Sequence, residues 1–145
     1  MKLWISYALL LGWMVVIFVL SSEGHNTSSG RSDAIVQALQ SIGVSWQTDL
    51  LTFLTRKAAH TVAYLVLGVL AYNVMRQYRL SNRVVVAVSA AVVVAYAVSD
   101  ELHQLLVPGR SGEVRDVLID STAGLLGVLL AKFVYSKYLL RKSQG

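Results

Sequence analysis

The sequence predicts an all-α, polytopic membrane protein with four transmembrane helices. Apolar residues make up 55% of the 145-residue chain and charged residues only 14%, and the mean hydropathy is +0.58. A soluble domain carries about 25% charged residues, so the deficit indicates a protein whose main solvent is lipid. Four apolar runs approach the roughly 20 residues that a helix needs to cross about 30 Å of hydrocarbon. The short chain and its four spans predict one domain over residues 1–145.

The predicted spans lie at about residues 3–20, 58–75, 84–99 and 114–134. The first resembles a signal peptide in position, but its charged leader is only Lys2 and no A-x-A-like cleavage site follows it. We therefore interpret it as a retained anchor. The third run is short, and we expect the residues after Ser99 to extend its helix.

The distribution of charge predicts the orientation of the chain. With four crossings, eight of the thirteen basic residues fall on one side: Lys2, Arg76, Arg79, Arg83, Lys132, Lys137, Arg141 and Lys142. The other side holds the remaining basic residues and all eight acidic ones. By the positive-inside rule, both termini then lie in the cytoplasm and the two longer loops face outward. The net charge of +5 is thus a topology signal, and it does not indicate nucleic-acid binding.

The first outer loop, residues 21–55, carries two apolar stripes with helical spacing. One stripe lies in residues 34–42, and the other follows from Trp46 to Leu54. This pattern predicts one or two interfacial helices on the outer leaflet. They form either a lid over the outer face or a plain surface anchor.

Polar residues from three spans gather at the predicted outer face. Ionisable side chains inside or at the rim of a membrane helix are costly, so each is a candidate functional residue. His60 and Tyr64 are four residues apart and share a helical face, as do Asp116 and Asp120. The full set of candidates is Arg56, Lys57, His60, Tyr64, Asp100, Glu101, His103, Gln104, Arg110, Asp116 and Asp120.

Three kinds of site fit these residues. Imidazole and carboxylate ligands suit a divalent metal ion such as zinc, manganese or magnesium, although no H-E-x-x-H motif is present. A metal-free hydrogen-bonded network that joins the helices explains the same residues. So does an anion pocket of arginine and lysine residues for a phosphate or carboxylate. Taken alone, His60 is more often a satisfied core histidine and Asp116 a favourable charge at a helix start. The functional interpretation depends on three spans that place polar groups at one depth.

Several blocks of this sequence resemble the VanZ-like family. They are Arg56-Lys57-x-x-His60-x-x-x-Tyr64-x-x-Leu67-Gly68, Ser99-Asp100-Glu101-x-His103-Gln104-x-x-Val107-Pro108-Gly109-Arg110, Asp116-Val117-x-x-Asp120-x-x-Gly124 and Phe18-x-x-Ser21-Ser22. The resemblance covers residues 18–127. It departs from the family pattern at Leu106, where an aromatic residue is common. It implies a bacterial cell-envelope protein of the cytoplasmic membrane. The name-giving member of the family is linked to resistance to teicoplanin, a glycopeptide antibiotic, so the resemblance also implies a contribution to such resistance.

Two functions are consistent with this reading. The first is an enzyme that acts on a lipid or lipid-linked envelope precursor at the outer leaflet. In this enzyme, His60 or His103 would act as the general acid or base. Its further catalytic candidates are Asp100, Glu101, Asp116 and Asp120, and its substrate-binding candidates are Arg56, Lys57, Tyr64, Gln104 and Arg110. The second is a non-catalytic protein that holds an envelope lipid, a peptide terminus or the antibiotic in the same pocket.

Overall fold

The described part of the chain forms four long helices. The computed structural model describes residues 2–22, 35–38, 40–42, 48–107 and 113–143, and these contain no β-strand. The helices are α1 (Leu3–Ser21), α2 (Thr48–Met75), α3 (Asn82–Gln104) and α4 (Val114–Ser143). Each is long and apolar enough to cross a membrane. The prediction of an all-α, multi-pass membrane protein is confirmed.

Helix α2 begins well before the span predicted at residue 58. The chain contains no glycine or proline between Thr48 and Leu67, so nothing interrupts the helix where its hydropathy changes. The second apolar stripe of the predicted outer loop, from Leu50 onward, is therefore the first part of α2 and not a separate interfacial helix; Trp46 lies outside the described residues. In the first stripe, residues 35–38 and 40–41 are helical as predicted.

The other helices extend beyond their predicted spans as well. Helix α3 continues through Ser99 to Gln104, as expected. It begins after Ser81, whose hydroxyl accepts a hydrogen bond from the backbone N–H of Val84 at 3.4 Å. Such a cap satisfies one of the free N–H groups of the first turn. Helix α4 has 30 residues, about 45 Å at 1.5 Å per residue, so it is longer than the hydrocarbon core.

Successive helices run in opposite directions, and this sorts their ends into two groups. One end of the bundle, which we call the polar end, holds Ser21, His60, Asp100 and Asp116. At the opposite end, the basic end, Gln77 donates to the hydroxyl of Ser6 at 2.7 Å. The hydroxyl oxygens of Tyr7 and Tyr78 lie 2.5 Å apart there, and this hydrogen bond raises the pKa of Tyr78 above its usual value.

The most extensive helix contact joins α2 to α4 and depends on three glycines. A Cβ atom on Gly68 would overlap the backbone carbonyl oxygen of Gly124, and one on Gly127 would overlap the carbonyl oxygen of Leu65. Small residues at such a crossing let two helix backbones approach closely inside a membrane. This close contact fixes the relative position of the polar residues that α2 and α4 carry at the polar end.

Helix α1 is joined to the bundle by hydrogen bonds near its middle. The indole N–H of Trp13 donates to the carbonyl oxygen of Ala63 on α2 at 2.9 Å. The hydroxyl of Tyr96 on α3 donates to the carbonyl oxygen of Met14 at 2.5 Å. Other side chains of α1, including Leu11 and Val15, are exposed, as expected for a face that contacts lipid. The first helix is therefore an integral part of the bundle.

Candidate functional site

Three side chains from three helices meet at the polar end. His60 of α2, Asp100 of α3 and Asp120 of α4 each offer one ligand atom, and these atoms lie within 4.8 Å of one another. We call these three residues the central cluster. Asp100 and Asp120 are 4% and 3% exposed. Two carboxylates are thus buried side by side, next to one imidazole.

Asp100 is held firmly through one of its two carboxylate oxygens. The hydroxyl of Ser21 on α1 donates to Oδ2 at 2.9 Å, and the hydroxyl of Tyr64 on α2 donates to the same oxygen at 3.1 Å. Oδ1 has no hydrogen-bond partner within the described part of the chain. Because unpaired buried polar atoms are uncommon and costly, this oxygen is available to accept a further hydrogen bond or to act as a ligand.

His60 forms the open side of the central cluster. Its Nδ1 atom lies 3.5 Å from Oδ2 of Asp120. The His60 side chain is 27% exposed, whereas that of Asp120 is 4% exposed. Of the three side chains of the cluster, the imidazole is therefore the most accessible from outside the bundle.

Glu101 joins the end of α3 to the start of α4. Its Oε1 accepts a hydrogen bond from the amide of Gln104 at 3.2 Å, and its Oε2 accepts one from the backbone N–H of Glu113 at 2.8 Å. The Gln104 amide also lies 3.5 Å from the hydroxyl of Ser21. Only the contact with Glu113 joins two helix ends, because the contact with Gln104 lies within α3. Together they engage both Glu101 oxygens, so they explain its burial without a role in chemistry.

A second carboxylate at the start of α4 is paired with a lysine. The ammonium group of Lys57 on α2 forms an ion pair with Asp116 and lies 5.5 Å from the centre of the Phe53 ring. Side chains of the pair are partly exposed. The pair lies about one helical turn from the central cluster along both helices, toward the helix starts.

The second histidine faces α1. Nε2 of His103 lies 2.9 Å from the hydroxyl of Ser22, and its ring centre lies 4.5 Å from that of Phe18. These contacts join α3 to the end of the first helix. Although the helical stripe of α3 groups His103 with Asp100, the central cluster does not include it.

Only some residues of the predicted anion pocket lie in the described part of the chain. Arg110 lies outside the described residues, together with Pro108 and Gly109. Arg56 is partly exposed next to Lys57, and Arg115 is exposed at the start of α4. Lys57 forms an ion pair with Asp116. Within the described chain, Arg56 and Arg115 are therefore the residues of the predicted pocket that could bind an anion, and both lie at the rim of the polar end.

Comparison with known proteins identifies the family. A model described as VanZ/LLP1 matches residues 5–135, which is most of the chain and includes every residue of the central cluster. The chain belongs to the VanZ/LLP1 family. No curated protein and no solved structure matched it.

The VanZ/LLP1 fold brings together four of the predicted site residues, His60, Tyr64, Asp100 and Asp120. Our list of candidates omitted Ser21, which supplies one of the two donors to Asp100. The signal for it was present, because Ser21 and Ser22 end the first span in the pattern Phe18-x-x-Ser21-Ser22 that resembles the family. The search for candidates started from ionisable side chains, so it passed over the two serine hydroxyls at the end of this uncharged helix.

The central cluster of this VanZ/LLP1 protein has two chemical capacities. An imidazole next to a carboxylate is the arrangement of a general base whose ring is oriented by an acidic partner. One nitrogen and two carboxylate oxygens are also the kind of donor set that binds a divalent metal ion with a position left open. Both capacities require the open side that His60 provides.

Proposed function

We propose that this VanZ/LLP1 protein is an enzyme that acts on a phosphate-containing bond of a lipid or lipid-linked envelope precursor at the outer leaflet. One observation carries the proposal: the three side chains of the central cluster meet at the polar end of the bundle, with two carboxylates buried and one imidazole partly exposed. Charges buried at this cost in a membrane protein are functional candidates by default. The cluster would activate the water or hydroxyl that attacks the substrate.

The surroundings of the cluster favour an anionic lipid as substrate. Asp100 and Asp120 lie within two helical turns of the polar ends of α3 and α4, and His60 lies about two turns inside the candidate span of α2, Phe53–Met75. In the proposed orientation the cluster would be close to the headgroups of the outer leaflet. Arg56 and Arg115 add positive charge at the rim. Guanidinium groups bind phosphate oxygens bidentately, so they would hold a phosphate headgroup beside the exposed His60.

The proposal requires the polar end to face outward. A reporter fused after Lys142 is expected to read the cytoplasmic side, because the basic end carries most of the basic residues and should stay inside. The measurement is the activity of an alkaline phosphatase fusion, which should be low, against the fluorescence of a GFP fusion at the same position, which should be high. The opposite pair of readings would place the cluster at the inner leaflet and contradict the proposal.

Turnover by the purified protein tests the reaction. The protein in detergent would be incubated with polyprenyl phosphates, polyprenyl pyrophosphates and phospholipids, and the products followed by mass spectrometry. Loss of an acid–base or ligand group costs roughly 100-fold or more in rate, so His60→Ala and Asp120→Asn are expected to abolish product formation. Thr122→Val, on the exposed face of α4, is the matched control and should keep full activity.

A binding measurement on the same purified protein, made beside the turnover assay, separates the enzyme from a non-catalytic binding protein. Tight binding of an envelope lipid, a peptide terminus or teicoplanin, with no product from any substrate in the panel, would favour binding alone. Loss of helix content in both cluster variants would instead indicate that the cluster is mainly structural. Far-ultraviolet circular dichroism and size-exclusion chromatography of each variant provide this check.

A further inference from the structure

We infer that His60, Asp100 and Asp120 together bind one divalent cation of the zinc or manganese class. The inference deepens the proposed function, on which it rests for the reaction, because it names the cofactor of the same site. Binding of the cation is a separate property and can be measured without turnover. The argument depends on the spacing of the ligand atoms, on the unpaired oxygen of Asp100 and on the charge of the site.

The spacing of the ligand atoms is close to that of an assembled site. With bonds of about 2.1 Å, neighbouring ligands of a tetrahedral zinc ion lie about 3.4 Å apart. Nδ1 of His60 and Oδ2 of Asp120 are 3.5 Å apart, which matches this value. All three ligand atoms lie within 4.8 Å of one another, so closure of the site on an ion requires only side-chain movements of about 1 Å.

The hydrogen bonds of Asp100 are those of a carboxylate that uses one oxygen as a ligand. Ser21 and Tyr64 both donate to Oδ2, whereas Oδ1 is buried without a partner in the described chain. Metal-ligating carboxylates are commonly oriented by such hydrogen bonds from neighbouring residues. Asp100 is only 4% exposed, so this oxygen lies largely out of contact with bulk solvent.

The charge of the central cluster also favours a cation. Two carboxylates approach each other in a poorly solvated site, and like charges placed this way repel strongly. Within the described chain, neither carboxylate forms an ion pair with lysine or arginine, and nearby Lys57 pairs with Asp116 instead. A divalent ion would neutralise both carboxylates at once.

The donor set indicates which cations fit. An imidazole nitrogen with two carboxylate oxygens suits zinc and manganese, whereas magnesium and calcium prefer oxygen donors alone. Three protein ligands are the usual number for a catalytic zinc site, in which the fourth position is left for water or substrate. Here that position would lie on the exposed side of His60.

Elemental analysis of the intact protein tests the inference. The protein would be purified with a tag that contains no histidine, stripped with EDTA, incubated with Zn²⁺ or Mn²⁺ and dialysed in detergent. Inductively coupled plasma mass spectrometry should then find about one ion per chain. Asp120→Asn and His60→Ala should reduce it to background, and Tyr64→Phe should weaken binding by roughly 10- to 100-fold. Glu113→Gln, which neutralises an exposed acid at the same end of the bundle, is the matched control and should retain the ion.

The outcomes distinguish this inference from the proposed function. No retained Zn²⁺ or Mn²⁺, or equal retention by wild type and Asp120→Asn, overturns the cation site. Turnover that persists after EDTA has removed the ion overturns its role as the cofactor and leaves the enzyme proposal standing. One bound ion per chain, with no turnover of any lipid in the panel, supports the cation site and contradicts the enzyme proposal. Should Asp120→Asn fail to fold, retention by His60→Ala decides.

Discussion

Gly68→Ala is expected to lower the unfolding temperature of this protein, whereas Gly12→Ala is expected to raise it. A Cβ atom at Gly68 would overlap the backbone of Gly124, which cannot move without displacing α4. Overpacking of this kind costs about 1–3 kcal/mol. Gly12 on α1 has no atom within 4 Å of the added methyl group, so alanine there gains up to about 1 kcal/mol through its greater helix propensity.

Alanine substitutions at the three glycines of the α2–α4 crossing should lower stability by different amounts. Gly127→Ala should behave like Gly68→Ala, because its new methyl group meets the carbonyl oxygen of Leu65. Gly124→Ala meets mainly the side chain of Val93, which can shift more readily than backbone, so its loss of stability should be smaller. Thermal unfolding in detergent, followed by tryptophan fluorescence, gives the order. Equal unfolding temperatures for the variants at positions 12 and 68 would contradict the close crossing of α2 and α4.

Asp100→Asn is expected to abolish cation retention and turnover while it stabilises the cation-free protein. Asparagine keeps an acceptor oxygen for Ser21 and Tyr64, so their hydroxyls stay paired. It removes one of two buried carboxylates, and with it the repulsion between Asp100 and Asp120. Replacement of a strained functional group by a neutral one commonly adds about 0.5–2 kcal/mol.

The measurement is the unfolding temperature of wild type and variant in EDTA, together with the metal content of both. Glu113→Gln neutralises an exposed acid at the same end of the bundle and should change stability by less than about 0.5 kcal/mol. A fall in unfolding temperature for Asp100→Asn would identify the carboxylate as a structural group. Retention of activity by this variant would remove Asp100 from the reaction.

The four spans could be predicted because apolar runs of this length have few alternatives to a membrane helix. Helix ends were harder to place. Hydropathy falls before residue 58, but hydrogen bonding along the backbone continues to Thr48, since helix formation depends on propensity and not on contact with lipid. The segment assigned to an interfacial helix therefore became part of α2.

The central cluster was partly predictable for a similar reason. Helical spacing shows which residues share a face, as with His60 and Tyr64, but it does not show which neighbouring helix that face will meet. His103 shares a stripe with Asp100, yet it contacts Ser22 on α1. Glu101, the neighbour of Asp100 in sequence, is buried as well, because it accepts a hydrogen bond from the backbone N–H of Glu113 at the start of α4. Such contacts depend on packing between distant parts of the chain.

The origin of the donors to Asp100 has a consequence for biogenesis. Ser21 and Tyr64 belong to α1 and α2, the two helices that leave the ribosome before α3. When α3 enters the bilayer, its carboxylate can find both hydroxyl partners at once, so it need not be exposed to hydrocarbon during synthesis. Asp120 arrives last, on α4, and brings the second carboxylate to a half-built cluster. Insertion of the fourth helix is then the step at which the two carboxylates first meet, and at which the proposed cation could first be bound.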